Sequence, residues 1–122
     1  MECRISLSGD RKYIVLKVTG DFTAQSFMKH ILEAHALGRE TDIHRYLVDV
    51  TEARNVDSAF GNYKFAYQDM MSTPGIDRLA KVAGLIRPGN HSHDFVQVTS
   101  TNAGMFLQLF TDIDEARNYL QK

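Results

Sequence analysis

Excess charge of either sign is missing from this chain: 14 basic side chains stand against 15 acidic ones in 122 residues, a net of −1. Without a field of one sign nothing draws in nucleic acid or an anionic surface, and nucleic acid is not an expected partner. Long apolar runs are missing too. Tyr13 to Leu16 and Met105 to Leu107 fall far short of the roughly 20 residues that span a bilayer. The opening residues, MECRISLSGDRK, hold no hydrophobic export segment, so a cytoplasmic protein with no transmembrane segment is expected. Cysteine is almost absent: Cys3 alone excludes an internal disulfide, and beside the first predicted strand it reads as an inert, partly buried thiol. Repeats, linkers and low-complexity tracts are lacking as well. With 43% apolar and 24% charged residues, 1–122 reads as a single domain able to bury one core.

What is present is an alternation of strand and helix signals. Arg4 to Leu7 and Tyr13 to Val18 are extended in character and flank Ser8-Gly9-Asp10-Arg11, a hairpin turn, so the domain is expected to open with an antiparallel pair. Phe22 to Gly38 carries Phe27, Met28, Ile31, Leu32 and Ala34 at helical spacing, with Thr23 or Asp21 as N-cap and Gly38 as the stop. Tyr46 to Val50 predicts a third strand. Asp57 caps a second predicted helix, Ser58 to Met71, whose Phe60, Tyr63, Tyr67, Met70 and Met71 form one stripe before Thr73-Pro74-Gly75 breaks it. Leu79 to Ile86 predicts a fourth strand that ends at Arg87-Pro88-Gly89-Asn90. His91 to Ala103 reads as a helix behind a Ser92 cap, although Val96, Val98, Thr99 and Thr101 favour strand locally. Met105 to Phe110 predicts the last strand, and Thr111 to Leu120 a closing helix with Asp112 as cap and Glu115 as its capping-box partner. The order ββαβαβαβα gives an α/β domain, a mixed central sheet of about five strands with four helices packed on it.

The most informative stretch is Arg45 to Gly61, RYLVDVTEARNVDSAFG, where a strand runs through a polar loop into a helix start. Open α/β sheets gather ligand chemistry at such places, because backbone N–H groups and the helix dipole converge there. If strands 46–50 and 79–86 are parallel neighbours, the loops Thr51 to Asp57 and Arg87 to His93 share one rim. Glu52, Arg54, Asp57, Ser58, Arg87, Asn90, His91 and His93 then crowd one crevice as the expected ligand or partner site. Arg54 and Arg87 would hold a phosphate or carboxylate by bidentate hydrogen bonds; equally, Arg54 would pair with Glu52 or Asp57 and order the loop.

Three segments carry a family resemblance: Tyr46 to Gly61, the RLAKVAGLIRP run from Arg78 to Pro88, and the ending LQLFTDIDEARNYL. In order and spacing they resemble the STAS domains, the family that includes the sporulation anti-sigma-factor antagonists, and more closely their SpoIIAA-like relatives. The ending is similar to the family's F-x-D-x-x-E-A-x-x-aromatic-L pattern at Phe110, Asp112, Glu115, Ala116, Tyr119 and Leu120. The resemblance implies a STAS-like fold and a non-enzymatic regulatory module with a protein partner. Antagonist members switch by phosphorylation of a serine in a D-S-S-G-L-G motif. Here Asp57 and Ser58 match, Ala59 replaces the second serine, and only Phe60-Gly61 stands for the ending. The resemblance therefore implies Ser58 as phospho-acceptor, where a phosphate would meet the free N–H groups of a helix start but also the repulsion of Asp57. The simpler reading keeps Asp57 as a cap and Ser58 as a first-turn residue.

The other polar clusters carry less. His91 and His93, two apart and with no third ligand at a diagnostic spacing, read as a capped loop, so neither a metal nor a cofactor is expected. His30 and His35 are five apart on the first predicted helix, off the spacing that shares a face, and read as flank and boundary residues. No G-x-S-x-G elbow supports hydrolysis with Ser58, and an enzyme is not expected. The stripe of Phe60, Tyr63, Tyr67 and Met70 reads as core. If exposed beside Phe22, Phe27 and Met28, it would instead line an apolar groove between the first two helices. That is the alternative function, binding of a small molecule or lipid with peripheral membrane contact, in keeping with an analogy between SpoIIAA-like proteins and lipid carriers. The strands at Arg4 to Leu7 and Met105 to Phe110 are candidate edges for a homodimer.

Overall fold

Ser8 closes the first hairpin through its own side chain. Its Oγ accepts the N–H groups of Lys12 at 3.1 Å and Tyr13 at 3.2 Å and donates to the Asp10 carboxylate at 2.6 Å. These bonds hold Arg11 at φ 59°, a left-handed conformation rare for a residue with a Cβ. The computed structural model describes residues 1–56, 75, 77, 79–90 and 106–121. Within them the elements are β1 (Glu2–Leu7), β2 (Ile14–Phe22), α1 (Ala24–Thr41), β3 (Arg45–Asn55), β4 (Lys81–Leu85), β5 (Phe106–Phe110) and α2 (Ile113–Gln121).

The five strands form one sheet in the order β1-β2-β3-β4-β5, with β1 antiparallel to β2 and every other neighbour parallel. This is the mixed α/β sheet that the strand order predicts. Alternation along each strand divides the core in two. Ile14, Leu16, Val18, Tyr46 and Val50 meet Phe27, Ile31 and Ala34 of α1 on one face, while Leu47, Ala83 and Leu85 meet Ala116 and Leu120 of α2 on the other. Two helices are present among the described residues rather than four; the helices predicted over 58–71 and 91–103 lie outside them.

Helix ends follow local chemistry in part. Thr23 is the N-cap of α1, its side chain accepting the Ser26 N–H at 3.1 Å while the Ser26 Oγ accepts the Thr23 N–H at 3.0 Å. Asp112 precedes α2 and accepts the Asp114 N–H at 2.9 Å. The expected stop at Gly38 is corrected, because α1 runs on to Thr41 and turns at Asp42, which takes the left-handed conformation at φ 56°. Gly38 lies inside the helix, where a Cβ would strike the Tyr46 hydroxyl and come within 2.6 Å of the Ile43 carbonyl oxygen.

β3 is much longer than Tyr46 to Val50. After an irregularity between Lys17 and Thr19, β2 continues through Gly20 and pairs Thr19 with Glu52, Gly20 with Ala53, Asp21 with Arg54 and Phe22 with Asn55. That neighbour gives the polar residues after Val50 backbone partners they would lack in a loop, so most of the predicted loop is strand.

Candidate functional site

The overhang of β3 builds the rim. Its pairing with β4 ends at Asp49 and Leu85, and six residues of β3 continue to Asn55 along β2 alone among the described strands. Facing this overhang is the turn after β4, closed by the Asn90 N–H donating to the Arg87 carbonyl at 3.0 Å, with Gly89 at φ 84°. The Asn90 side-chain amide reaches back to the Ala53 carbonyl at 3.4 Å. An open depression of about 340 Å³ lies between them, lined by Glu52, Arg54, Arg87 and Asn90 together with Gly20, Asp21, Thr51 and Ala53. Four of the eight residues expected at this crevice are thus brought together, with Glu52 and Arg54 on a strand. Asp57, Ser58, His91 and His93 lie outside the described residues.

One wall carries a charge network that joins β2 to β3. Lys17 Nζ lies 3.1 Å from Asp49 Oδ2, 3.2 Å from Thr51 Oγ1 and 3.6 Å from Glu52 Oε2. Burial by itself would raise the Asp49 carboxyl. The Thr51 N–H at 3.0 Å, the Thr51 hydroxyl at 2.7 Å and the Lys17 ammonium outweigh it and hold Asp49 below the usual carboxylate range. Glu52 is therefore directed toward Lys17. The signal that would have found this network is register: Lys17 stands opposite Asp49 across β2 and β3, an opposite-charge pair invisible until the strands are aligned.

Three of the residues expected to line the apolar groove are described, and all three belong to the core side of α1 and β2. Phe22 and Phe27 are buried in the core with ring centroids 5.6 Å apart, and Met28 packs half-buried against the same cluster. Phe60, Tyr63, Tyr67 and Met70 lie outside the described residues.

A second polar cluster occupies the opposite end of the sheet, where β3 and β4 begin. His35, expected at a boundary, is buried, its ring 4.7 Å from that of Tyr46. Its Nδ1 accepts the Asp77 N–H at 2.9 Å, which requires a neutral ring, and burial pushes its pKa down. The Asp77 carboxylate pairs with His44 Nδ1, and Asp42 stands 3.5 Å from His44 Nε2. The hydrogen bond to Asp77 raises the His44 pKa. Desolvation pushes the Tyr46 phenol up to about 12. Arg39 completes the clasp by donating to the Gly75 carbonyl at 2.8 Å. Among the described residues no three His, Cys, Asp or Glu side chains are grouped to hold a metal ion, and no helix is long and apolar enough to cross a membrane.

The chain matches no known family model, and no curated protein matches it by sequence. Its fold does match solved structures. One is an anti-sigma factor antagonist from Mycobacterium paratuberculosis, at TM-score 0.62 and 11% identity over 99% of this chain and 94% of the other. Another is an uncharacterised DUF3478-family protein with a SpoIIAA-like fold from Shewanella loihica PV-4, at TM-score 0.56 and 18% identity over 98% and 92%. At these identities the likeness is one of fold, and the fold of this chain is SpoIIAA-like.

Proposed function

We propose that this domain is a non-enzymatic regulatory module that recognises a protein partner through the rim at the ends of β3 and β4, with recognition gated by charge at Ser58. The observation that carries the reading is the shape and chemistry of the rim. The depression is open and polar rather than enclosing, and Arg54 and Arg87 line it as exposed guanidinium groups suited to carboxylates of a partner surface. The Lys17 network ties β2 to β3 beside them. The fold likeness to an anti-sigma factor antagonist supports a role in protein recognition. Ser58 follows Asn55 by three positions in the chain. A phosphoryl group on its hydroxyl would add about −1.5 to −2 charges, compete for the two guanidinium groups and repel an acidic partner.

Affinity capture from the source cells, paired with intact-mass measurement of the protein recovered from them, tests this reading. Wild-type protein is expected to retain a specific partner that Ser58→Asp releases, and a fraction of the cellular protein is expected to carry one phosphoryl group. An Arg54→Glu/Arg87→Glu variant that retains the same partner as wild type would refute recognition at the rim. Cellular protein that never carries phosphate, with Ser58→Asp binding unchanged, would refute gating alone.

A further inference from the structure

Among the described strands β5 lies at an edge of the sheet, and its sequence, Phe106-Leu107-Gln108-Leu109-Phe110, reads the same in both directions. Antiparallel pairing of two such strands about Gln108 sets each residue against its own counterpart. Phe106 falls opposite Phe110 of the second copy, Leu107 opposite Leu109, and Gln108 opposite itself. The backbone is oriented for it. The Phe110 carbonyl accepts the Ile86 N–H at 2.8 Å on the β4 side, so by strand alternation the N–H and C=O groups of Leu107 and Leu109 point outward. In the symmetric register these two residues form the hydrogen-bonded pairs and Gln108 the closer, non-bonded one.

The two edges of the sheet differ in protection. β1 carries Glu2 and Arg4, charges of the kind that discourage edge pairing, whereas β5 has neither charge nor proline. Phe106 is 55% exposed, and Phe110 already packs on Tyr119 of α2 with ring centroids 5.2 Å apart. Across a two-fold axis Phe106 would join that aromatic pair of the other copy, twice by symmetry. We propose that the protein forms a two-fold dimer through antiparallel pairing of β5 with β5 of a second copy, joining two five-stranded sheets into one. The contact is isologous and closes at two chains, leaving no outer β5 edge to propagate a fibre. None of its residues lines the rim depression, so it stands or falls independently of the proposed function.

Sedimentation equilibrium of the purified protein reads the prediction directly. Wild type is expected to approach twice the 13.8 kDa chain mass as concentration rises. Gln108 is exposed, so Gln108→Lys keeps the wild-type circular dichroism while placing two ammonium groups face to face, and dimerisation weakens roughly a hundredfold. Gln108→Glu behaves likewise, and an equimolar mixture of the two variants restores the dimer. In a Cys3→Ser background, Gln108→Cys is expected to oxidise to a covalent dimer, because the axis brings the two residues within disulfide reach. A wild type that stays at single-chain mass to millimolar concentration overturns the proposal. So does a dimer that Gln108→Lys leaves intact, or one that the Lys and Glu variants fail to re-form together.

Discussion

At Gly38 the ordinary preference for alanine in a helix interior is reversed. Replacing an interior glycine by alanine normally gains about 1 kcal/mol. Here α1 and the start of β3 approach so closely that the new methyl group meets the Tyr46 hydroxyl and a backbone carbonyl, and backbone does not yield cheaply. Gly38→Ala is therefore expected to destabilise the protein by about 1–3 kcal/mol, seen as a lower urea midpoint with an unchanged slope. Gly84 is a milder case. Its added Cβ would lie 2.7 Å from the end of the Leu109 side chain, which is able to rotate away. Thr23 is a third position where one side chain decides a local outcome, since it satisfies the Ser26 N–H at the start of α1. Thr23→Ala should lower stability by about 1 kcal/mol, measured by the same denaturation.

Between elements, Gly75 and Asp77 are fastened to the end of α1 and the start of β3, and the two histidines that hold Asp77 titrate in opposite senses. His35 is buried and favours its neutral form, so the unfolded chain binds more protons between its lowered pKa and the ordinary value of about 6.5. Stability from His35 is complete above that ordinary value and is lost as pH falls toward the lowered one. Arg39 adds to the lowering, while Asp77 opposes it. His44 is raised by Asp77 and helped by Asp42, so its contribution is complete below the ordinary value and fades as pH rises through the raised one. The clasp is thus strongest near the ordinary histidine pKa. His44→Gln is expected to flatten the alkaline side of the stability profile and leave the acid side in place, as read from urea midpoints across mildly acidic to mildly alkaline pH. Because His44 is exposed, the alkaline change will be the smaller of the two. An unaltered alkaline limb in the variant would show that the pair contributes nothing to folding.

For the molecule as a whole, the described helices lie on opposite faces and bury the two halves of the core, while the rim depression is lined by residues at the strand ends. Recognition and folding are consequently separable there. Arg54 and Arg87 are exposed, so Arg54→Glu/Arg87→Glu should leave stability within about 0.5 kcal/mol of wild type while abolishing capture of the partner. Loss of both together would mean that the two guanidinium groups support the fold rather than a partner.

The amino-acid sequence by itself determined the strand and helix order of the described segments, the Ser8 hairpin, and the caps at Thr23 and Asp112. Each of these rests on side chains a few residues apart, whose hydrogen bonds and periodicity are local. The pairing of Tyr46 to Val50 beside Leu79 to Ile86 as parallel strands was also foreseeable, because a helical signal separates them. Only the tertiary structure decided that β3 runs to Asn55, that Lys17 faces Asp49, that Gly38 is a point of close approach, and that Phe22 and Phe27 belong to the core. In every one of these cases the partner is distant in the chain. A polar run becomes strand when a neighbouring strand supplies hydrogen bonds, and an aromatic becomes core when a sheet covers it.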